Sequence, residues 1–290
     1  MDRTHHEMQV GDYYDDIWKE FVRWWCSEET LGLHYAYYEK GITSFKQAVY
    51  NMNELIGRLL DLHEKKPKRI LDAGCGVGGT SIYLATKYPK SSFTGLSVTP
   101  GQIVRAKQFS KQRHVKNTQF FLRSYLKSEF PDESFDGVFA LESIGYSGDV
   151  KGFVDEMYRV LKPGGRLVVV DGLRTDNPMS PLMKKFYDDL CLGRGFLDVP
   201  VLSEYVRLLK KKGFRTIEVN DISKNVSRSQ LRSFVIGIPY YVYTGTKKIV
   251  MVGRYNPQKD FVNYSMGTAV RCSLMGFSHI IDFYTVAAVK

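Results

Sequence analysis

Two short runs of the sequence contain residues whose types and spacing could do chemistry. The first, DAGCGVGG at residues 72–79, follows a short apolar segment and precedes a helical pattern. Glycines at such a strand-to-helix turn let the backbone approach a ligand closely, because they carry no Cβ. The second, ALESIGY at residues 140–146, follows another apolar segment and contains one carboxylate, Glu142. A carboxylate at the end of a buried strand can act as a general base or stabilise a nearby positive charge.

An alternation of strands and helices places both runs at one edge of a predicted sheet. Strand patterns occupy residues 69–73, 92–96, 118–122, 135–141 and 166–170. Helical patterns lie between them at residues 80–87, 100–113 and 153–161. This order is typical of a parallel sheet covered by helices on both faces, which binds ligands at the carboxyl ends of its strands.

The remaining segments are predicted to surround this sheet. Residues 1–64 are predicted to form an N-terminal aromatic lid with helices, although the same aromatic spacing also fits a helix that simply packs on the core. Residues 65–290 are predicted to be the main domain, completed by strands at 216–222 and 280–289. Two insertions, at about 173–200 and 228–275, are predicted to build a substrate pocket.

The composition limits the class of protein. The chain has 290 residues, of which 43% are hydrophobic and 25% charged, close to the averages for globular domains. No apolar run approaches the ~20 residues of a membrane span, and the first residues lack the apolar core of a signal peptide. The four cysteines form no CxxC pair, which disfavours a zinc site or disulfide framework and predicts a reducing, cytoplasmic location.

The net charge of +10 leaves several partners open. Such a balance fits nucleic acid, an anionic membrane surface or an acidic substrate. The basic residues are spread along the chain, with one compact run at residues 210–212. We therefore expect a small-molecule substrate rather than nucleic acid, and a homo-oligomer remains open.

The glycine-rich run resembles the first motif of the class I methyltransferases that depend on S-adenosylmethionine (SAM), which has the form D-x-G-x-G-x-G. The resemblance is strong over residues 65–172 and includes the runs PDESFD at 131–136 and EMYRVLKPGG at 156–165. It implies a Rossmann-like seven-stranded sheet whose last strand is antiparallel. It also implies that the loop packs on the methionine and ribose parts of SAM, which assigns Asp72, Gly74, Cys75, Gly76 and Gly78 to the cofactor.

Other cofactor residues are implied by the same resemblance. Most relatives end the second strand with an acidic residue, whereas this chain has GLSVTPGQ at residues 95–102. That run is similar to a subgroup with G-(I/V)-T-L-S-x-x-Q, in which Ser97 and Gln102 would contact the ribose. Ser124 and Tyr125 stand where relatives bind adenine, and Leu141 closes the cofactor site.

The lid resembles that of methyltransferases for sterols, tocopherols, isoprenoid diphosphates and small amines. The runs YYD at residues 13–15 and HYAYY at 34–38 carry this resemblance. In that group such tyrosines flank the SAM sulfonium, whose positive charge attracts the π face of a ring. Tyr14 is thereby assigned to the cofactor, Tyr37 to catalysis, and Tyr35 and Tyr38 to the substrate. The alternative is that these rings are core aromatics.

The ESIGY run at residues 142–146 resembles the E-S motif of sterol, tocopherol and terpene methyltransferases. Several relatives have a histidine where this chain has Tyr146, and the terpene diphosphate enzymes have E-S-T-M-Y. We therefore expect C-methylation of an isoprenoid alkene such as a prenyl diphosphate. The alkene attacks the SAM methyl group, aromatic faces stabilise the resulting carbocation, and Glu142 removes a proton. Glu142, Tyr37 and Tyr146 are the predicted catalytic residues.

Basic side chains in the second insertion are the predicted site for a diphosphate. Arg228 and Arg232, together with Lys247 and Lys248, could hold the phosphate oxygens, with Mg²⁺ as the metal for such a substrate. The alternative is ordinary surface charge.

Three other functions remain open from the sequence. The same lid and loop motifs occur in N-methyltransferases for glycine derivatives and phosphoethanolamine, which act on small amines. The chain could also be a SAM-binding partner without catalytic activity. An RNA methyltransferase would need a basic face with exposed aromatic rings for base stacking.

Overall fold

The computed structural model describes the backbone of residues 3–251, 254 and 256–290. Side chains are described from residue 14 onward in these ranges, except at residue 258. Tyr13 of the YYD run therefore has a side chain outside the described residues.

The described part of the chain forms one mixed seven-stranded sheet. The strands are β1 Arg69–Ala73, β2 Ser92–Ser97, β3 Thr118–Leu122, β4 Phe135–Leu141, β5 Leu161–Arg174, β6 Arg215–Asp221 and β7 Ile281–Val289. Their order across the sheet is β3-β2-β1-β4-β5-β7-β6. Only β7 runs antiparallel to its neighbours β5 and β6. The predicted α/β class and the antiparallel last strand are confirmed.

Nine α-helices cover the sheet in the described part. They are α1 Arg3–Trp24, α2 Phe45–Leu59, α3 Gly79–Lys87, α4 Pro100–Gln112, α5 Val150–Val160, α6 Pro181–Arg194, α7 Leu202–Lys212, α8 Ser223–Val250 and α9 Phe261–Phe277. Short 3₁₀ turns lie at Ile144–Tyr146 and Pro257–Asp260. None of the described helices is long and apolar enough to cross a membrane.

Strand β5 begins earlier than the sequence predicts. The run KPGG at residues 162–165 reads as the stop of a helix, with the next strand expected at 166–170. In the structure Leu161 already pairs with Phe135, and the ladder resumes at Arg166 opposite Gly137 after a bulge. The helix therefore ends at Val160, and the glycines lie in a bulged strand edge rather than in a separate loop.

The order of the strands creates the site. β1 pairs with β2 on one side and with β4 on the other, so the connections leave β1 in opposite directions. At such a switch point the loops after the two strands diverge and leave a crevice at the carboxyl edge. The central strands are buried on both faces, with Ile70, Val138 and Val168 at 0% exposure, so the edge is a rigid platform.

Two groups of elements cover this edge of the sheet. The lid comprises α1 and the segment to residue 44, and it is tied to α4 where Arg105 donates to Asp15 at 3.0 Å. The cap comprises α6, α8 and α9, which occupy most of the two insertions expected at 173–200 and 228–275. In particular, α8 and α9 pack side by side over most of their lengths.

Candidate active site

A large cavity lies where the strand ends, the lid and the cap meet. It encloses about 1920 Å³ of empty space including its open mouth. Its wall includes the glycine-rich run, the ends of β2 and β4, lid tyrosines and cap side chains.

The glycine-rich loop forms one wall and interlocks with the loop after β4. Gly74 and Gly76 have φ values of +100° and +52°, which side chains rarely adopt. A Cβ on Gly74 would lie 2.4 Å from Ser143 Cβ, so only glycine fits there. Ser143 Oγ also donates to the carbonyl of Ala73 at 2.6 Å. Gly78 caps α3 and is not on the cavity wall, so its predicted contact with a cofactor is corrected to shaping the turn.

Asp72 lies at the base of this loop. It is buried, lines the cavity and accepts a hydrogen bond from Ser81 Oγ at 2.7 Å. Loss of water around the carboxyl group raises its pKa to about 7, although the Ser81 bond opposes this shift. A positively charged group of a ligand at this place would favour the ionised carboxylate.

The end of β2 carries a buried polar cluster. Ser97 Oγ donates to Gln102 Oε1 at 2.7 Å and accepts from the Thr99 amide at 3.1 Å. Thr99 Oγ1 is buried on the cavity wall and has no hydrogen-bond partner in the described part of the protein. A buried hydroxyl without a partner marks a place for a polar ligand group, such as a ribose hydroxyl. Thr99 was missed from the sequence, where the family pattern drew attention to its neighbours.

Ser124 and Tyr125 line the next part of the wall, as predicted. Ser124 Oγ accepts from the Leu126 amide at 3.1 Å, which fixes the turn after β3. The Tyr125 hydroxyl donates to the carbonyl of Ser143 at 2.8 Å, so it braces the same loop that meets Gly74. Leu141, at the end of β4, also lies on the wall. Polar turns beside apolar contacts are what a nucleoside site requires.

Glu142 follows β4 directly and lines the same cavity. Its backbone is in the left-handed region at φ 50°, a conformation that is strained for a side chain of this size. Its Oε1 accepts the backbone amide of Tyr35 at 2.6 Å, which joins the lid to the sheet edge. Burial raises the pKa of Glu142 to about 8; the Tyr35 bond and Arg194 lower it, while Asp171 raises it.

Asp171, which sequence reasoning missed, holds the loop that carries Glu142. Its two carboxylate oxygens accept the amides of Ile144 at 2.9 Å and Gly172 at 2.8 Å. Burial raises its pKa to about 7 despite these bonds. Its position at the end of the predicted strand 166–170 was the available signal, because parallel strands gather their carboxyl ends at one edge.

Arg194 contributes a positive charge to the cavity wall, and the sequence analysis did not predict it. It lies in the last turn of α6 and lines the wall. Its charge lowers the pKa values of Glu142, Tyr35 and Cys272, so it faces the part of the cavity that these residues line. Its place in an irregular insertion gave no pattern from which to predict that position.

Aromatic rings form much of the remaining wall. Tyr146 packs on Tyr14 with ring centroids 5.5 Å apart and on Phe196 at 4.6 Å. Tyr35 packs on Phe283 at 5.0 Å. Three predicted tyrosines, at positions 14, 35 and 146, are therefore brought together in the cavity. Such faces can stabilise a cation that forms between them.

Four other predicted residues lie off the cavity wall. Tyr37 belongs to the apolar core that contains Met52, and its amide donates to the carbonyl of Ala48 at 2.9 Å. Its predicted catalytic contact is therefore corrected to a packing role. Tyr38 instead lies under the guanidinium of Arg228 at 5.2 Å.

The basic residues of the second insertion also point away from the cavity. Arg232 lies 4.6 Å from the ring of Phe45 and donates to the carbonyl of Trp24 at 2.7 Å, while Lys247 bonds Asp260. The predicted diphosphate site is corrected accordingly, because these cations lie along the outside of α8. Among the described residues no three His, Cys, Asp or Glu side chains come close enough to hold a metal ion.

We predict that Gly76→Val blocks SAM binding. A Cβ at Gly76 would lie 3.1 Å from Leu33 Cδ1 in a backbone that already has positive φ, on the wall where a ligand must approach. Affinity should fall by about 5- to 150-fold, because overpacking costs ~1–3 kcal/mol and 1.4 kcal/mol is tenfold. Isothermal calorimetry measures it. Gly41→Val is the control, since Gly41 also has positive φ but open space around it. Unchanged affinity in Gly76→Val would remove this loop from the SAM site.

We predict that Glu142→Gln reduces the fall in the free energy of unfolding as the pH rises from about 5 to about 8. The native carboxyl, with its pKa of about 8, keeps a proton that the unfolded chain releases near 4.5. Its contribution to the free energy of unfolding is therefore complete below about pH 4.5 and is lost as the pH rises through 8, by up to ~1.4 kcal/mol per pH unit. Relative to the parent, the variant should gain stability between about pH 5 and pH 9 in chemical denaturation. Glu39→Gln, outside the cavity, should follow the parent, and parallel curves for all three proteins would contradict this assignment.

Comparison with known proteins identifies the domain. Residues 71–169 match the model of the methyltransferase domain family. Cycloartenol-C-24-methyltransferase 1 of Oryza sativa subsp. japonica is 29% identical over 226 residues, covering 77% of this chain and 63% of that protein. A sterol 24-C-methyltransferase of Neurospora crassa is 31% identical over 193 residues, covering 66% and 50%. The chain thus spans between half and two thirds of the length of these relatives.

Solved structures agree on the fold. The mycolic acid cyclopropane synthase CmaA1 superposes with a TM-score of 0.79 at 18% identity, covering 98% of both chains. A geranyl diphosphate methyltransferase has a TM-score of 0.75 at 13% identity, covering 98% of this chain and 99% of that one. Residues 71–169 therefore match a methyltransferase domain, and the strand order of the described residues agrees with the fold of class I SAM-dependent methyltransferases.

Proposed function

We propose that this protein transfers the methyl group of SAM to an alkene carbon of an apolar, isoprenoid or sterol-like molecule. The observation that carries the proposal is Glu142, a half-buried carboxylate on the wall of an aromatic-lined cavity that also contains the glycine-rich loop. The names of the relatives, which include sterol C-methyltransferases, support the same reaction class.

The cavity divides into a polar half and an apolar half. The polar half has the close backbone approach at Gly74 and Gly76, and the hydroxyl of Thr99 without a partner. These features fit SAM, whose ribose and methionine carry hydrogen-bonding groups. Ser97 and Gln102 already bond each other, so they hold the shape of the ribose site and present their remaining atoms to it.

The other half is lined mainly by hydrocarbon and rings. Its cap and sheet residues include Leu190, Phe196, Ile236, Met266, Ala269 and Phe283. Burial of apolar surface against such a wall contributes about 25 cal/mol per Å², which favours an extended hydrocarbon over a small polar metabolite. Since neither Arg228 nor Arg232 lines the cavity, the wall favours an uncharged isoprenoid over a prenyl diphosphate.

SAM supplies an electrophilic methyl group on a sulfonium. The walls hold the substrate alkene in line with that methyl group, and this positioning accounts for a large part of the rate. The alkene electron pair forms the new carbon–carbon bond, the carbon–sulfur bond breaks towards sulfur, and a tertiary cation remains on the substrate. The rings of Tyr14, Tyr35 and Tyr146 present their π faces to this cation. Glu142 then takes a proton from the adjacent carbon, and that C–H electron pair closes a new alkene.

The surroundings of Glu142 suit this proton transfer. A base must be ionised, and burial raises the pKa of Glu142 to about 8 even though the Tyr35 bond and the charge of Arg194 oppose that shift. The charge of Arg194 lowers that pKa, and a bound sulfonium would lower it further because opposite charges favour the carboxylate. The Tyr35 amide donates to Oε1 of Glu142, which leaves Oε2 to accept the proton from the substrate carbon.

A small amine is the second candidate substrate. Glu142 and Asp171 are two carboxylates on an aromatic wall, which would also hold a protonated amine. The two candidates differ in their products, and one experiment separates them.

The experiment is mass spectrometry of products from the purified protein with SAM and four candidate substrates in separate reactions. These are cycloartenol, squalene, geranyl diphosphate with Mg²⁺, and sarcosine. We expect a product heavier by one methylene with an apolar isoprenoid. Methylation of geranyl diphosphate alone would restore the diphosphate substrate, and methylation of sarcosine alone would establish the amine. No methylated product with any of the four, while SAM remains bound, would overturn the proposed C-methylation.

We predict that Glu142→Gln lowers turnover without weakening SAM binding. The amide keeps the acceptor for Tyr35 but cannot take a proton, so kcat should fall by about 10²–10⁴-fold. Single-turnover kinetics and calorimetry measure the two quantities. Glu39→Gln, which changes a carboxylate outside the cavity, should leave kcat within about twofold of the parent. Full activity with the same product in Glu142→Gln would contradict the role of Glu142 as the base.

A further inference from the structure

The solvent-facing side of α8 carries a continuous apolar row, which we call the α8 stripe. Its members are Leu231, Val235, Ile238, Val242 and Ile249, with exposures of 55%, 57%, 41%, 56% and 76%. They are separated by four, three, four and seven residues, so they lie in one line along the helix. Scattered exposed hydrophobics are ordinary on a protein surface, but a contiguous row of this length marks an interaction site.

Basic residues border the first half of the α8 stripe, whereas Lys247 near its end pairs with Asp260 and Lys248 lies over the ring of Tyr264. The sequence has no Asp or Glu from residue 222 to residue 259, while α8 alone carries Lys224, Arg228, Arg232, Lys247 and Lys248. Arg228 and Arg232 are held beside the stripe by stacking on Tyr38 and Phe45. An apolar row bordered by cations, on a helix that does not span a membrane, is the pattern of a helix lying in a membrane interface.

The opposite side of the same helix belongs to the cavity. Ser233 and Ile236 line the cavity wall, and they lie within the turns that carry Leu231, Val235 and Ile238 outside. An α-helix with its side chains is about 10–12 Å across, so one helix separates the stripe from the apolar half of the cavity.

We propose that the α8 stripe docks on an anionic lipid bilayer and that the apolar substrate enters the cavity from that bilayer. The docking step stands on the stripe and its charges, whereas the loading step rests on the proposed function. A second copy of this chain is a weaker occupant, because self-association through α8 would bring two sets of five cations together. Phosphate groups of anionic lipids complement those cations, and acyl chains complement the stripe.

The test of docking is flotation of the purified protein with vesicles. One set contains phosphatidylglycerol and phosphatidylcholine in equal parts, and the other contains phosphatidylcholine alone. We expect the protein to bind the anionic vesicles at low salt and to dissociate as salt is added. Each cation near the surface raises the partition coefficient about fivefold, and salt screens that attraction. Equal binding to both sets, or no binding to either, would overturn the proposal.

Two variants distinguish membrane binding through the α8 stripe from non-specific binding through other exposed apolar residues. Leu231→Gln/Val235→Gln/Val242→Gln removes the centre of the stripe, and partitioning should fall by about tenfold or more. The control Val104→Gln/Leu122→Gln changes two similarly exposed apolar residues on α4 and β3 and should bind like the parent. Equal loss in both variants would overturn the assignment to α8. Light scattering that shows a dimer in the parent and a monomer in the triple variant would assign the stripe to a second copy instead.

Activity measurements then test the loading step alone. With substrate dispersed in detergent, the triple variant should methylate as fast as the parent, since none of its changes lies on the cavity wall. With substrate embedded in anionic vesicles, its rate should fall in proportion to its binding. Equal rates in vesicles would overturn loading from the bilayer. Absence of methylation in every assay would instead contradict the proposed function, while the flotation result would still decide docking.

Discussion

The hydrogen bond from the Tyr35 amide to Glu142 joins the two halves of the molecule that make the site. One partner belongs to the lid and the other to the end of β4, more than a hundred residues away in the sequence. The bond is partly buried, so an unpaired carboxylate or amide there would be costly. The lid is therefore held in place by the same side chain that the proposed chemistry needs as a base.

Around that bond the sheet edge is braced from several directions. Asp171 accepts amides of the loop after β4, Tyr125 bonds the Ser143 carbonyl, and Ser143 in turn packs against Gly74. These contacts over-determine the backbone of Glu142, which explains how a residue with positive φ persists there. The cofactor loop and the base are consequently parts of one rigid unit rather than separate devices.

Periodic apolar segments predicted the parallel strands because they are local signals, whereas the antiparallel last strand and the cofactor residues were implied by the family resemblance. Sequence reasoning misplaced residues whose positions depend on packing between distant segments. Arg228 and Arg232 looked suited to a diphosphate, but the orientation of α8 turns them outward onto Tyr38 and Phe45. Arg194 had no distinguishing pattern, yet the end of α6 brings it into the cavity. Tyr37 shares a run and an apolar core with Tyr35, but only Tyr35 of the two lines the cavity.

The two halves of the cavity come from different parts of the chain. Sheet loops meet the cofactor, whereas α6, α8 and α9 supply much of the wall that meets the substrate. Substitutions in these cap helices can reshape that wall while the loops at the strand ends keep their contacts. Natural variation in the cap can thus change the substrate while purifying selection maintains the methyl donor's site at the strand ends. For the same reason, a designer could replace the cap without altering that site.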